Sequence, residues 1–298
     1  MNEKKRLLVT GASGFLGWNI CRIAKNDYSV IGVCNARTVA VKDIQLEKCD
    51  ITDFRTLQEL FLRTRPDAVI HTAAESRPDI CQEQPDSTEK INVDASVSIA
   101  GLCSDSQIPC AFTSSDLVFD GISPPYDEGR VPSPISVYGE QKVAAEAGMR
   151  ERHDKVVICR MPLMYGDAPP QAKSFIQPLI ASILAGKETG LFSDVFRTPV
   201  SGTTAARGLL LALSHVPGIL HLGGRERISR YNFGIKLAGA LDRPNVKLTP
   251  IRQKEVVIRA PRPLDVSLDS SKAMALGYNP LPIDEELAML DCVKISHC

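Results

Sequence analysis

The chain has 298 residues, with 35 Lys and Arg against 35 Asp and Glu, a formal net charge of zero, 44% hydrophobic and 5% aromatic residues. This is the balance of a soluble globular protein of one large or two small domains. It lacks the basic excess that nucleic acid or an anionic membrane demands and the aromatic supply of a base-stacking surface. Apolar stretches such as Leu7–Val9, Ala181–Ala185 and Leu209–Leu213 fall far short of a membrane span or a signal-peptide core. The nine cysteines (Cys21, Cys34, Cys49, Cys81, Cys103, Cys110, Cys159, Cys292 and Cys298) are odd in number and form no C-x-x-C pair. A cytoplasmic protein with reduced thiols is expected. The histidines show no ligand spacing with them, so no metal site is expected.

Along the first half, short β-type runs alternate with helix-length segments. Arg6–Thr10 is an apolar run that ends in a glycine-rich turn, and Trp18–Lys25 reads as a helix. Tyr28–Cys34 and Ile44–Asp50 read as strands. Asp53–Thr64 carries apolar residues at Phe54, Leu57, Leu60 and Phe61, a helical stripe that Asp53 is placed to cap. Ala68–Ile70 is a buried strand, Val93–Cys103 a helix, Cys110–Thr113 a strand, Val137–Arg152 a longer helix and Val156–Arg160 a strand. Such alternation predicts βαβ units, that is, an α/β fold with a parallel sheet and helices on both faces. Beyond residue 165 prolines punctuate the pattern, which predicts loops and short helices beside the sheet. Ser201–Ser214 is expected to return as a helix to the main layer, followed by a strand over Val216–Leu222.

The turn Thr10-Gly11-Ala12-Ser13-Gly14-Phe15-Leu16-Gly17 joins the first strand to the first helix. Its glycines permit a tight turn, close approach to a pyrophosphate and close packing of helix on strand. The free N–H groups of the helix start attract the phosphate charge. An NAD-binding chain usually carries an acidic residue about 20 residues further on, for the ribose hydroxyls. Here the second strand ends Val33-Cys34-Asn35-Ala36-Arg37-Thr38, with no acid. Arg37 suits a 2′-phosphate, with Asn35 and Thr38 adding neutral hydrogen bonds, so NADP(H) is expected over NAD(H). Asp50 and Ile51 are expected beside the adenine, and Thr72, Ala73 and Ala74 along the middle of the cofactor.

Tyr138 and Lys142 stand four apart on a predicted helix and so share a face. An ammonium beside a phenol favours the phenolate, which suits the pair to general acid-base work near neutrality. Thr113-Ser114-Ser115-Asp116 is a hydroxyl-rich strand end, from which Ser115 can hydrogen-bond a carbonyl beside Tyr138.

These stretches, together with C-D-I-T-D (49–53), H-T-A-A (71–74), I-N-V-D-A-S (91–96), S-S-D-L-V-F-D-G (114–121), S-P-I-S-V-Y-G-E-Q-K-V-A-A-E (133–146), R-M-P-L-M-Y-G (160–166) and R-P-L-D-V-S-L-D-S-S-K (262–272), span nearly the whole chain. On them the chain resembles the extended short-chain dehydrogenases/reductases and, more narrowly, the dTDP-4-dehydrorhamnose reductase family. The resemblance implies a Rossmann-type doubly wound parallel sheet with a small C-terminal substrate domain. The first would comprise residues 1–165, with 195–222 returning to it, and the second 166–194 and 223–298. It implies Ser115, Tyr138 and Lys142 as the catalytic trio. Gly11, Gly14 and Gly17 would hold the pyrophosphate, with Phe15 and Leu16 at its side and Ser13 also at the cofactor, Asn92 would support the lysine or a relay water, and Met161 and Pro162 would neighbour the nicotinamide. Ser114 and Ser115 would face the substrate, with Arg197, Arg259 and Arg262 as candidates for gripping its diphosphate. The implied reaction is NADPH-dependent reduction of a nucleotide-linked 4-keto-6-deoxysugar at C4, with Tyr138 as proton donor.

Two other readings stay open. H-T-A-A-E-S-R-P-D-I (71–80) and S-S-D-L-V-F-D-G resemble the branch of the regulatory β subunit of methionine adenosyltransferase, which implies an NADP-binding subunit with a protein partner. A nucleotide-sugar epimerase or dehydratase shares the trio; for a dehydratase, Asp116-Leu117 supplies one acid where such enzymes have Asp-Glu. The resemblance also implies a homodimer through the helix that carries Tyr138, with Val143, Ala144, Ala147 and Gly148 available for packing.

Overall fold

The apolar runs of the N-terminal half become the centre of one sheet. In the computed structural model, which describes residues 4–36, 41–214 and 217–294, β1 (Arg6–Thr10) lies between β2 (Ser29–Cys34) and β4 (Ala68–His71). β3 (Gln45–Lys48) borders β2, β5 (Cys110–Ser115) borders β4, β6 (Val156–Met161) follows, and strand Gly218–His221 forms the far edge. All seven run parallel. The order reverses between β1 and β4, which opens a crevice at the carboxyl ends of the strands.

Alternation along β1 divides the core. Leu7 and Val9 pack on one face with Ile20 of α1 (Phe15–Ala24) and Leu209 of helix Gly202–Leu213. Leu8 packs on the other with Leu57 of α2 (Phe54–Thr64), and there the cluster extends to residues of two further helices. Because the central strands are covered on both faces, they read as continuous apolar runs. A third buried cluster, with Tyr165, Ile176, Leu179, Phe233, Leu237, Ile283 and Leu287, draws only on residues after 164. Cys21, Cys49, Cys81, Cys103, Cys110 and Cys159 are buried free thiols, and among the described residues no helix is long and apolar enough to cross a membrane.

The helix expected from Trp18 begins at Phe15, since the glycine turn leads straight into it with Gly14 as N-cap. Asp53 caps α2 as expected, its carboxylate accepting from the Arg55 and Thr56 N–H groups. After α3 (Pro78–Glu83), the helix expected from Val93 starts earlier. It runs through α4 (Pro85–Glu89), a π-turn over Lys90–Asp94 and α5 (Ala95–Asp105). α6 (Val137–Arg152) has the expected bounds, with the Ser136 hydroxyl accepting from the Gly139 N–H. The proline-rich half contains three two-stranded ladders that the sequence does not announce, such as Val200–Ser201 on Met164–Tyr165. Strands this short carry no readable period.

Glu286, on helix Ile283–Met289, joins the third cluster to the main layer. Its buried carboxylate accepts from the Tyr165 hydroxyl (2.7 Å), the Ser201 N–H (2.9 Å) and the Thr204 hydroxyl. Glu286→Ala leaves these donors buried without an acceptor, and each such loss costs about 1–3 kcal/mol. Urea denaturation is expected to show a loss of about 3 kcal/mol or more; a loss below about 1 kcal/mol would contradict this role.

Candidate functional site

The glycine turn is fixed by close approaches. Gly11 has φ +71°, and a Cβ there would meet the Ala73 backbone nitrogen at 2.8 Å. A Cβ on Gly17 would lie 2.2 Å from the Gly11 carbonyl oxygen. Larger residues at either position would push α1 away from β1 and the segment 72–74.

A buried polar relay holds that segment. The Thr10 hydroxyl oxygen accepts from the Thr72 N–H (3.1 Å) and the Ala73 N–H (3.3 Å), and lies 2.6 Å from His71 Nδ1. His71 Nε2 is 2.9 Å from Ser96 Oγ, which donates to the Asn92 carbonyl. Since both acceptors on the relay are then defined, Thr10 donates to Nδ1 and Nε2–H donates to Ser96. This requires a neutral imidazole, and burial, with Lys142 nearby, pushes the His71 pKa down to about 3.

A cleft of about 1000 Å³ runs along the carboxyl ends of the strands. It is lined by Gly11, Ser13, Gly14, Phe15, Leu16, Gly17, Asn35, Asp50, Ile51, Thr72, Ala73, Ala74, Met161 and Pro162. All of these were expected to hold a cofactor, and the structure brings them onto one surface. Arg37 and Thr38, expected at a 2′-phosphate, lie outside the described residues. Asn92 is a correction. It does not line the cleft and does not bond Lys142. In the π-turn, its side chain accepts from the Glu75 N–H (2.9 Å) and donates to the Glu75 carbonyl (3.1 Å) and to Gln141 (2.8 Å). It thus anchors the chain just after Thr72–Ala74, and any effect on a cofactor passes through that backbone.

Ser114, Ser115, Tyr138 and Lys142 line the middle of the same cleft. Ser115 ends β5, and Tyr138 and Lys142 occupy one face of α6. The glycine after the tyrosine brings the two elements together: a Cβ on Gly139 would sit 2.3 Å from the Leu117 carbonyl oxygen. Lys142 is almost fully buried, and its Nζ donates to the Thr113 carbonyl at 2.9 Å and lies 4.6 Å from the Phe112 ring centroid. Burial pushes its pKa down to about 8. The expectation of a phenol acidified by the lysine is not met. Burial, with Asp116 next in size, raises the Tyr138 pKa well above the usual tyrosine value, while the Ser115 hydroxyl acts the other way. The phenol is therefore held protonated.

Beyond Ser115 the cleft becomes cationic, with Lys173, Arg197, Arg230 and Arg262 in its wall. Asp116 is buried, accepts from the Ser115 hydroxyl (3.1 Å) and sits 3.4 Å from Arg197 Nε. Arg197 lines the cleft as expected, but its guanidinium donates to the Phe196, Leu264 and Pro263 carbonyls. Arg262 pairs with Asp79 at 2.9 Å. Arg259 is a further correction: it is absent from the cleft wall and its guanidinium pairs with Glu83 of α3. Arg230 was missed, because nothing in I-S-R-Y-N-F distinguishes it from a solvated charge.

The RmlD substrate binding domain family matches residues 5–291 of the chain. The chain is 31% identical over 281 residues to methionine adenosyltransferase 2 subunit beta from Xenopus laevis, covering 92% of this chain and 83% of that protein. It is 29% identical over 289 residues to a probable low-salt glycan biosynthesis reductase from Haloferax volcanii, covering 95% and 96%. Among solved structures, dTDP-4-dehydrorhamnose reductase from Bacillus anthracis in complex with NADP superposes with a TM-score of 0.85 at 23% identity, covering 96% and 98%.

Burial moves the Asp116 pKa from 3.8 up to about 6, against the pull of Arg197. Between those values the folded chain keeps a proton that the unfolded chain has lost. The contribution of Asp116 to stability therefore falls as pH rises through this window, opposite in sign to the contributions of the buried His71 and His221, whose lowered pKa values make theirs rise. Asp116→Asn, which does not titrate, is expected to remove that fall from a urea-denaturation profile taken between about pH 4 and pH 7. The same slope in both proteins would show that Asp116 does not titrate there.

Proposed function

Because the chain belongs to the RmlD substrate binding domain family, we propose that it is an NADPH-dependent reductase of a nucleotide-linked 4-keto-6-deoxysugar. One observation carries this reading: Ser115, Tyr138 and Lys142 converge on the same cleft as the residues of the glycine turn. The Haloferax and Bacillus proteins, named a probable low-salt glycan biosynthesis reductase and a dTDP-4-dehydrorhamnose reductase, support it.

The glycine turn fits a dinucleotide, since a side chain on Gly11 or Gly17 would fill the space the backbone uses. Gly11, Ser13, Gly14, Phe15, Leu16 and Gly17 hold the pyrophosphate, and Asp50 and Ile51 the adenine end. Thr72–Ala74, Met161 and Pro162 lie along the rest. A reduced nicotinamide bound there would supply the hydride for the C4 carbonyl carbon. Tyr138 donates its phenolic proton to the oxygen, and Ser115 positions that oxygen by hydrogen bonding. Lys142, charged at neutral pH, stabilises the phenolate left behind. NADP(H) is preferred because β2 ends without an acid and Arg37 follows; the Bacillus structure contains NADP. The sugar nucleotide lies against the smaller part formed by residues 166–194 and 223–298.

A second reading is an NADP-binding subunit of a larger assembly, favoured by the identity to methionine adenosyltransferase 2 subunit beta. A dehydratase is disfavoured, since Asp116 is buried against Arg197 and offers no free acid-base pair. The reading also carries a cytoplasmic location and a homodimer across α6. There Ala144 and Ala147 are exposed, while Gly148 packs against Val97 and Val143 against the cluster of Phe119.

With a dTDP-4-keto-6-deoxyhexose, sugar-dependent oxidation of NADPH is expected in an absorbance assay. Tight NADPH binding without turnover would favour the subunit reading. Tyr138→Phe is expected to lower turnover by at least about 100-fold with NADPH affinity within about twofold of wild type; undiminished turnover would remove the tyrosine from the mechanism. Arg37→Ala should weaken NADPH binding by about tenfold or more and leave NADH binding nearly unchanged. Equal losses for both cofactors would rule out a 2′-phosphate contact.

A further inference from the structure

The cationic end of the cleft holds more positive charge than its acids neutralise. Arg197 faces Asp116 through Nε and gives three of its donors to backbone carbonyls. Arg262 is paired with Asp79. Arg230 differs from both. Among the described residues its guanidinium makes no hydrogen bond and no ion pair, and it stacks on the face of Phe175, with Cζ 4.4 Å from the ring centroid. Stacking on a ring orients the fork while leaving its N–H donors available at the edges.

The position is electrostatically unfavourable for a cation. Arg230 opens an 11-residue helix, Arg230–Ala240, capped by the Ser229 hydroxyl. The N-terminal end of a helix carries partial positive charge and favours anions. Burial, and after it the like charges of Arg197 and Arg262, push the Arg230 pKa down to about 10. Asp116 acts in the opposite direction as the smallest influence, and its carboxylate is already engaged by Ser115 and Arg197. An anion entering the cleft relieves this excess, and the open face of Arg230 offers paired donors to phosphate oxygens.

We infer that Arg230 is the phosphate-binding and specificity-determining residue of the substrate end, gripping the diphosphate of a sugar nucleotide whose sugar reaches back to Ser115 and Tyr138. This rests on the sugar-nucleotide reading above and reassigns the diphosphate from Arg259, which is outside the cleft, and from Arg197, whose donors are mostly taken. Arg262 is the auxiliary cation, because its Nε is buried without a partner among the described residues. The cofactor pyrophosphate has its own place at the start of α1, so the two phosphate sites are separable by mutation.

Isothermal titration of the full chain with dTDP and, separately, with NADPH tests the assignment. Arg230→Gln is expected to weaken dTDP binding tenfold or more while NADPH affinity stays within about twofold, which also reports that the variant is folded. Arg230→Lys should recover part of the loss, and Arg259→Gln should bind both ligands as wild type does. Wild-type dTDP affinity in Arg230→Gln, an equal loss for NADPH, or absence of dTDP binding by the unmutated chain would each overturn the inference. If dTDP binds through Arg230 yet no 4-ketosugar nucleotide drives NADPH oxidation, the reductase reading fails and the phosphate site stands.

Discussion

The buried ion pair between Glu146 and Arg160 sets the geometry on which the site depends. Arg160 donates through Nε to Oε1 (3.0 Å) and through Nη2 to Oε2 (2.8 Å), and both residues are nearly inaccessible. The Ser114 hydroxyl donates to the same carboxylate, and Ser114 stands opposite Arg160 in the ladder of β5 and β6. One carboxylate on α6 is thus bound to the ends of two neighbouring strands. Glu146 lies four residues after Lys142 and eight after Tyr138, so all three share a face of the helix. Fixing Glu146 fixes the rotation of α6, and with it the direction in which the phenol and ammonium point. Breaking a buried pair by removing one partner typically costs about 3–5 kcal/mol, so the helix has no low-energy alternative rotation.

That anchoring permits a costly arrangement of charges. A tyrosine, a lysine, a histidine and an aspartate are buried within a few residues of the strand ends, each displaced from its ordinary ionisation by loss of water. The desolvation falls differently on each. It keeps the phenol protonated and the imidazole neutral, while Lys142 retains enough affinity for its proton to stay charged at neutral pH. The lysine is stabilised by the Thr113 carbonyl and the Phe112 face rather than by an acid in hydrogen-bond contact. Its charge therefore remains available to a phenolate formed beside it.

Much of this was legible in the sequence, and the reasons for the rest are physical. The parallel sheet followed from runs of apolar residues, and the glycine turn and the four-residue spacing of Tyr138 and Lys142 pointed to residues that the structure brings onto one cleft. Those signals are local: each depends on neighbours within one turn or one loop. What failed depends on contacts across the chain. Arg259 and Arg230 look alike in sequence, yet one meets Glu83 of α3 and the other faces the cleft over Phe175. Asn92 sits in a π-turn, where an extra residue per turn redirects its side chain to the backbone of Glu75. The acidified tyrosine was expected from one neighbouring charge, whereas burial, which no spacing reveals, decides its direction.

The end of the cleft proposed for the carbonyl and the cationic end proposed for the phosphate meet at Asp116. The Ser115 hydroxyl has one proton, and without substrate it is given to Asp116 Oδ1, while its oxygen accepts from the Leu117 N–H. To hydrogen-bond a carbonyl, Ser115 must turn that proton away from the carboxylate. An ionised Asp116 then loses a donor in a buried place, and Arg197 at 3.4 Å is the group that limits the loss. Arg197 can fill this role because carbonyls of Phe196, Pro263 and Leu264 hold it in position whatever occupies the cleft. An arginine so held is a poor ligand for a mobile phosphate but a good fixed counter-charge. The division of labour among the arginines therefore follows from hydrogen-bond accounting: one steadies the acid behind the serine, one is tied to Asp79, and one is left with open donors for the proposed anion.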